Sequence, residues 1–266
     1  IPLRLVGSEM CIRDRNEGVH VHNVAAVATI SFAHPKHNCF PQAQLKALTA
    51  AIDTCAQDDT VRVILLQSDP TKAFCAGASF DELLAVQTPQ QGKSFFMGFA
   101  NLINAMRLCS KPIVGRIHGK AIGGGVGIVA ACDYAIATTT AAVRLSELAI
   151  GIGPFVIAPA VARKMGSAAL ASLALQPKEW KTAAWALSQG LYAEVHPDFE
   201  TANSAAMALA KQLATYAADA VAELNKTLWV DTDHWAELLP NNAEISGRLL
   251  LLPETQATLK QLKSNT

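Results

Sequence analysis

An excess of either charge is missing from this sequence. Lys+Arg and Asp+Glu both number 22, charged residues make up only 17%, and the pI is near 7.2. A nucleic-acid binder carries a basic excess or stripe, so RNA and DNA are not expected partners, and any phosphate recognition must be local. Cysteine pairing is missing too. Cys11, Cys39, Cys55, Cys75, Cys109 and Cys132 are scattered with no CxxC. That pattern fits small core residues in a reducing, cytoplasmic setting better than a disulfide framework. The seven histidines lack zinc spacing: His34 and His37 form HxxH, but Pro35 between them points to a turn, so no metal site is expected. No segment reaches the roughly 18 to 20 apolar residues of a membrane span, and the longest uncharged stretch, Leu148 to Ala162, is broken by Pro154 and Pro159.

What is present is apolar surface. Hydrophobic residues make up 51% of 266, enough for one large domain with a real core and for subunit contacts. The first fifteen residues, IPLRLVGSEMCIRDR, lack a signal peptide's apolar core and cleavage site and read as a non-native segment, residues 1–15. Beyond them, Val24–Phe32, Arg62–Gln67, Lys111–Ile117 and Tyr134–Thr138 read as short strands. Gln42–Ala56 and Lys93–Cys109 have helical spacing, the second with Phe96, Phe99, Ile103 and Met106 along one side. Strands alternating with helices predict an α/β fold with a mainly parallel sheet. After Gly153 the pattern turns helical, punctuated by Gly166, Pro177, Gly190, Pro197 and Pro240.

Two segments carry chemistry. Lys72–Leu83 (KAFCAGASFDEL) follows a strand and runs into a helix; its small residues Ala76, Gly77 and Ala78 would let a ligand approach the backbone closely. Gly119–Gly127 (GKAIGGGVG) follows another strand and precedes the apolar run Ile128–Cys132, expected to be a buried helix. Glycines there expose amides at the positive end of a helix dipole. The segment is neither a P-loop, since GxxxxGK[ST] is absent, nor a dinucleotide fingerprint in good register. Taken singly, the first could be an ordinary tight turn and the second close helix–sheet packing. Together, paired amide donors from two strand-to-helix junctions can hold one developing oxyanion.

KAFCAGASFDELL resembles the first signature of the enoyl-CoA hydratase/isomerase (crotonase) family, and KPIVGRIHGKAIGGGVGIVAACDYAIA resembles the second. RLSELAIGIGP, with Glu147, and WALSQGLYAEVHP match later stretches in order. The resemblance implies a spiral of ββα turns over residues 16–200 and a helical C-terminal trimerisation region over 201–266, giving a homo-trimer or hexamer. It implies an acyl-CoA substrate, with coenzyme A part of that substrate and no bound cofactor. Ala78 and Gly124 would donate the oxyanion-hole amides. Lys72, Ala76, Gly77, Gly123, Gly127 and His118 would line the substrate site, Lys72 near the phosphates. A standard hydratase has a glutamate two residues after the GGG and another in the third stretch. Here the first position is Gly127, which leaves Glu147 as principal acid–base residue and His118 as backup. The missing side chain is expected to leave a small pocket beside the thioester, with room for a water, an inorganic anion or the carboxylate of a dicarboxylic acyl group.

Three readings stay open. Wording such as RLSELAIGIGPFV resembles methylglutaconyl-CoA hydratase-like members, so hydration of a short or branched 2-enoyl-CoA leads. A single carboxylate, and the Gly-x-x-Pro-Phe ending of SELAIGIGPFV, suit a 3,2-enoyl-CoA isomerase. A non-catalytic CoA-thioester-binding subunit would retain the amides and have lost the carboxylate.

Overall fold

A computed structural model describes residues 17–264; the expected non-native segment, with Cys11, lies outside them. The chain begins as an antiparallel hairpin of β1 (Gly18–Val24) and β2 (Val27–Ala33), followed by α1 (Gln42–Gln57). A second turn runs through β3 (Val63–Ser68), α2 (Phe80–Ala85) and α3 (Pro89–Leu108). A third runs through β4 (Ile113–Ile117), β5 (Ala121–Ile122) and α4 (Gly124–Ala131). A fourth contains β6 (Tyr134–Thr138), β7 (Val143–Arg144), a 3-10 turn at Glu147–Ile150, and α5 (Ala158–Ala174). Then come α6 (Ala183–Ser188), β8 (Glu194–His196), α7 (Phe199–Leu213), α8 (Ala218–Leu228), α9 (Trp235–Leu250) and α10 (Pro253–Ser264).

Successive turns stack their strands into one six-stranded sheet, ordered β1-β2-β3-β4-β6-β8 and parallel everywhere beyond the hairpin. The third and fourth turns each add a short strand, β5 and β7, to a second, parallel pair. Parallel strands buried on both faces need continuous apolar runs, and Val63-Ile64-Leu65-Leu66 is one. Its Ile64 and Leu66 join the main core with α1, α3 and α4, while Val63 and Leu65 meet α7 through Ala202, Ala206 and Ala210. The spacing of four puts those alanines on one helix face, small enough for α7 to lie close to the sheet.

The structure moves several expected boundaries. α3 starts at Pro89, four residues early, because Thr88 and Gln91 form a capping box. α4 starts at Gly124, so the glycines form its first turns instead of a loop before it. The C-terminal half is not purely helical: β8 pairs with β6 through Ile136↔Glu194. Pro240 and Gly166 lie inside α9 and α5, Gly166 at a kink with φ 82°.

Candidate active site

The site forms where the second and third turns meet. Cys75 N donates to Lys120 O at 3.2 Å and Ile122 N donates to Cys75 O at 3.0 Å, which docks the 69–79 loop against β5. On the loop's other side, Phe40 N donates to Gly77 O at 2.8 Å and Ser79 N to Phe40 O at 3.1 Å. In an extended chain alternate residues turn their amides to opposite sides. The Ala78 N–H, between two residues that face Phe40, is thereby turned toward α4. Gly77 makes the turn with φ 84°, and a Cβ there would sit 3.1 Å from Ile122 O. Both constraints call for glycine.

Gly123 caps α4 with φ 53° and ψ −120°, and its N–H donates to Arg144 O at 2.9 Å. A Cβ at Gly123 would lie 2.8 Å from Glu147 Oε1, so the glycine makes the space in which that carboxylate lies. Gly124 is the first residue of α4, where a helix leaves its N–H groups free and its dipole favours negative charge. Among the described residues, neither Ala78 N–H nor Gly124 N–H has an acceptor. Both line the same cavity, of about 60 Å³.

Ala76, Gly77, Gly123, Ser146 and Glu147 share that cavity. Facing them is an apolar wall of Phe80 and Leu83 from α2, Phe96 and Phe99 from α3, and Ile150, Ile152, Val156 and Ile157, with Ser246 from α9. Glu147 is the one titratable residue in this lining. Its Oε2 is buried without a hydrogen-bond partner. Burial pushes its carboxyl up from 4.5 to about 7, against the opposing pull of the Glu147 and Ser146 backbone amides. Such a group exchanges protons readily near neutrality.

Three expected site residues lie outside the cavity lining. Gly127 is the plainest correction. A Cβ there would meet Ile157 Cγ2 at 2.4 Å and Cβ at 2.6 Å, so Ile157 occupies the space expected to be empty. His118 is buried with Nε2 2.8 Å from Lys72 O, an arrangement in which that nitrogen donates to the carbonyl. Burial also lowers its pKa, against the raising pull of its bond to Lys72 O, and His118 stands under the loop as a strut, outside the cavity lining. Lys72 is half-buried and donates to His34 O at 3.3 Å. Sequence reasoning did not assign the aromatic part of the wall to the site. Phe96 and Phe99 already stood out as one side of a helix, and only their direction was missing. Ser246 carried no local signal.

Among the described residues no helix is long and apolar enough to cross a membrane, and no cluster of three or more His, Cys, Asp or Glu could hold a metal. The five described cysteines are free.

Comparison with known proteins follows the same lines. A methylglutaconyl-CoA hydratase, mitochondrial, from Mus musculus is 30% identical over 143 residues, 54% of this chain and 43% of the relative. A short-chain-enoyl-CoA hydratase from Clostridium acetobutylicum is 30% identical over 129 residues, 48% of this chain and 49% of the relative. The chain thus spans about half the length of the curated relatives it matches. The crystal structure of enoyl-CoA hydratase from Bacillus halodurans superposes with a TM-score of 0.85 at 21% identity, covering 91% of this chain and 99% of that one, which establishes the shared crotonase fold. The family model described as Enoyl-CoA hydratase/isomerase matches residues 22–261. With that match over nearly the whole described chain, the protein belongs to the enoyl-CoA hydratase/isomerase family.

Proposed function

We propose that the protein shifts the double bond of a short, uncharged 3-enoyl-CoA to the 2-position, using Glu147 as its single acid–base group. The carrying observation is that Glu147 is the one titratable residue lining the cavity, while Ile157 fills the space beside Gly127. In this reading the thioester oxygen accepts hydrogen bonds from Ala78 N–H and Gly124 N–H. Glu147 takes a proton from the α-carbon, and the electron pair delocalises onto the thioester oxygen. The same carboxylic acid returns the proton to the γ-carbon, leaving the double bond between the α- and β-carbons. The two amides act where charge develops, so they stabilise the enolate more than the ground state. Coenzyme A is the substrate's handle, and no further cofactor enters the step. The helical C-terminal region would assemble the chain as a homo-trimer or hexamer.

Water addition is the second reading, favoured by the hydratase names of the relatives. It requires Glu147 alone to deprotonate water and deliver a proton to carbon. An acidic acyl group such as methylglutaconyl is disfavoured, because no cation stands among the cavity's lining residues to meet its carboxylate. Incubation with 3-enoyl-, crotonyl- and 3-methylglutaconyl-CoA, followed by mass measurement and chromatography of the products, separates the readings. Isomerisation of the 3-enoyl thioester without mass change is expected. Addition of one water to crotonyl-CoA with no isomerisation would replace this reading with hydration, and inertness toward all three would leave a thioester-binding subunit.

A further inference from the structure

We infer that Asn38 is a positioning residue that holds the Ala78 amide in place for the thioester oxygen; this rests on the oxyanion role proposed above. Asn38 is completely buried and sits at φ 55°, a left-handed conformation that Asn tolerates better than most residues. Its side chain faces the loop that ends in Ala78. Nδ2 donates to Asp69 O at 3.1 Å and to Ala73 O at 2.9 Å, while Oδ1 accepts from His34 N at 2.9 Å. Two donors and an acceptor are thus matched to two carbonyls and an N–H, which only a side-chain amide can do at this length.

Three more of the loop's carbonyls are held as well. Lys72 O faces His118 Nε2, Cys75 O accepts from Ile122 N, and Gly77 O accepts from Phe40 N. Asn38 is the one side chain that binds two of these carbonyls, and it grips both ends of the 69–73 segment. Its neighbour His37 accepts from Ala76 N at 3.1 Å. The Asn38 frame therefore reaches within two residues of the Ala78 donor without entering the cavity itself. A donor matched to a developing oxyanion must be fixed before reaction, because reorganising it during the step raises the barrier. Displacing a reacting geometry by roughly 1 Å can cost on the order of a hundredfold in rate. A loop freed from Asn38 would still bind coenzyme A thioesters, but it would present Ala78 N–H loosely.

Two substitutions test this. Asn38→Gly keeps the left-handed backbone and removes all three side-chain bonds. Asn38→Asp keeps the shape and the bond to His34 N, and replaces the two donated bonds by carboxylate facing carbonyl. The direct readout is the infrared carbonyl stretch of bound butyryl-CoA, an unreactive saturated thioester. Hydrogen bonds to its oxygen lower the frequency, so the wild-type protein should shift it down and both variants should lose most of that shift. Turnover should fall about 10- to 100-fold with KM changed by less than about threefold, the signature of a lost transition-state interaction. If folded Asn38→Asp retains the wild-type shift, the inference fails whatever happens to the rate, because Asn38 then does not set the donor. If the wild-type protein binds butyryl-CoA and leaves its carbonyl unshifted, the oxyanion reading itself fails, and the Asn38 role with it.

Discussion

Glu147 combines a cost to the fold with the use proposed for it at the site. Its carboxyl stands at about 7 because burial penalises the charged form. As a base it must be ionised, so kcat/KM for the 3-enoyl thioester should rise with pH through about 7 and then level. Glu147→Gln preserves shape and removes the titrating group; turnover should drop at least about a hundredfold, and a loss under tenfold would mean another group carries the proton. Stability should move the opposite way. Below 4.5 the residue is protonated in folded and unfolded chains alike. Between 4.5 and about 7 the unfolded chain releases the proton while the folded one keeps it, so stability falls as pH rises, by about 3 kcal/mol in all. Glu147→Gln escapes that loss. Its melting temperature should match wild type near pH 4.5 and exceed it at pH 8; a gap that does not change with pH would place the Glu147 carboxyl at its ordinary value.

Gly127 teaches the opposite lesson. Its identity was legible as the absence of a carboxylate, but what fills the space was not, because Ile157 lies thirty residues later and reaches the helix only through the fold. Gly127→Ala should gain about 1 kcal/mol of helix propensity and lose about 1–3 kcal/mol to overpacking against Ile157. Packing wins, since the nearest atoms include the branched Cβ at 2.6 Å, which rotation about the side chain cannot move. Equilibrium unfolding should find the variant less stable, and a more stable variant would mean that Ile157 yields freely.

Among the elements, those built on their own period were legible and those built on unusual turns were not. β3 opens on the apolar run Val63–Leu66, and β4 and β6 are short segments rich in β-branched and aromatic residues; all three stood out. β1 did not: it joins β2 through Ala25 and Ala26, both in left-handed conformations at φ 47° and 66°. Asn-Gly is the usual residue pair for such a turn, so two alanines gave no hairpin signal. β5 and β7 are two residues long and exist only because the turns stack. The α3–α9 crossing is likewise invisible locally. Gly92 and Gly247 meet there, and a Cβ on Gly92 would lie 2.7 Å from Gly247 Cα and 2.8 Å from Gly247 O. Backbone cannot yield as a flexible side chain can. Gly92→Ala should therefore push α9 outward, carrying Ser246 from the cavity wall, at a cost of about 2 kcal/mol or more. Raised KM together with a lowered melting temperature would bear this out; unchanged values for both would show that the helices have slack.

At the scale of the molecule, the described chain leaves one helix poorly covered. α8 buries a single residue, Asn225, whose Nδ2 donates to Cys109 O at 2.6 Å. Leu224 and Leu228 on the same helix are 58% and 46% exposed, and Val230 just beyond is 65% exposed. An isolated eleven-residue helix is marginal in water, so packing against a further surface would add to its stability. Contact with another copy would bury these side chains, at about 25 cal/mol for each Å² of apolar area removed from water. Net charge is zero, so copies meet without long-range repulsion. The expected solution species has a mass of three times 28.2 kDa, or six times if trimers pair, by sedimentation equilibrium at micromolar concentration. Leu224→Glu combined with Leu228→Glu should shift that mass toward a single chain, because each would place a charge in the contact without touching the core or the cavity. A wild-type protein that sediments as one chain would remove the trimer from the proposal. An oligomer indifferent to both substitutions would move its interface away from α8 and leave these leucines as ordinary exposed apolar residues, which folded surfaces carry routinely.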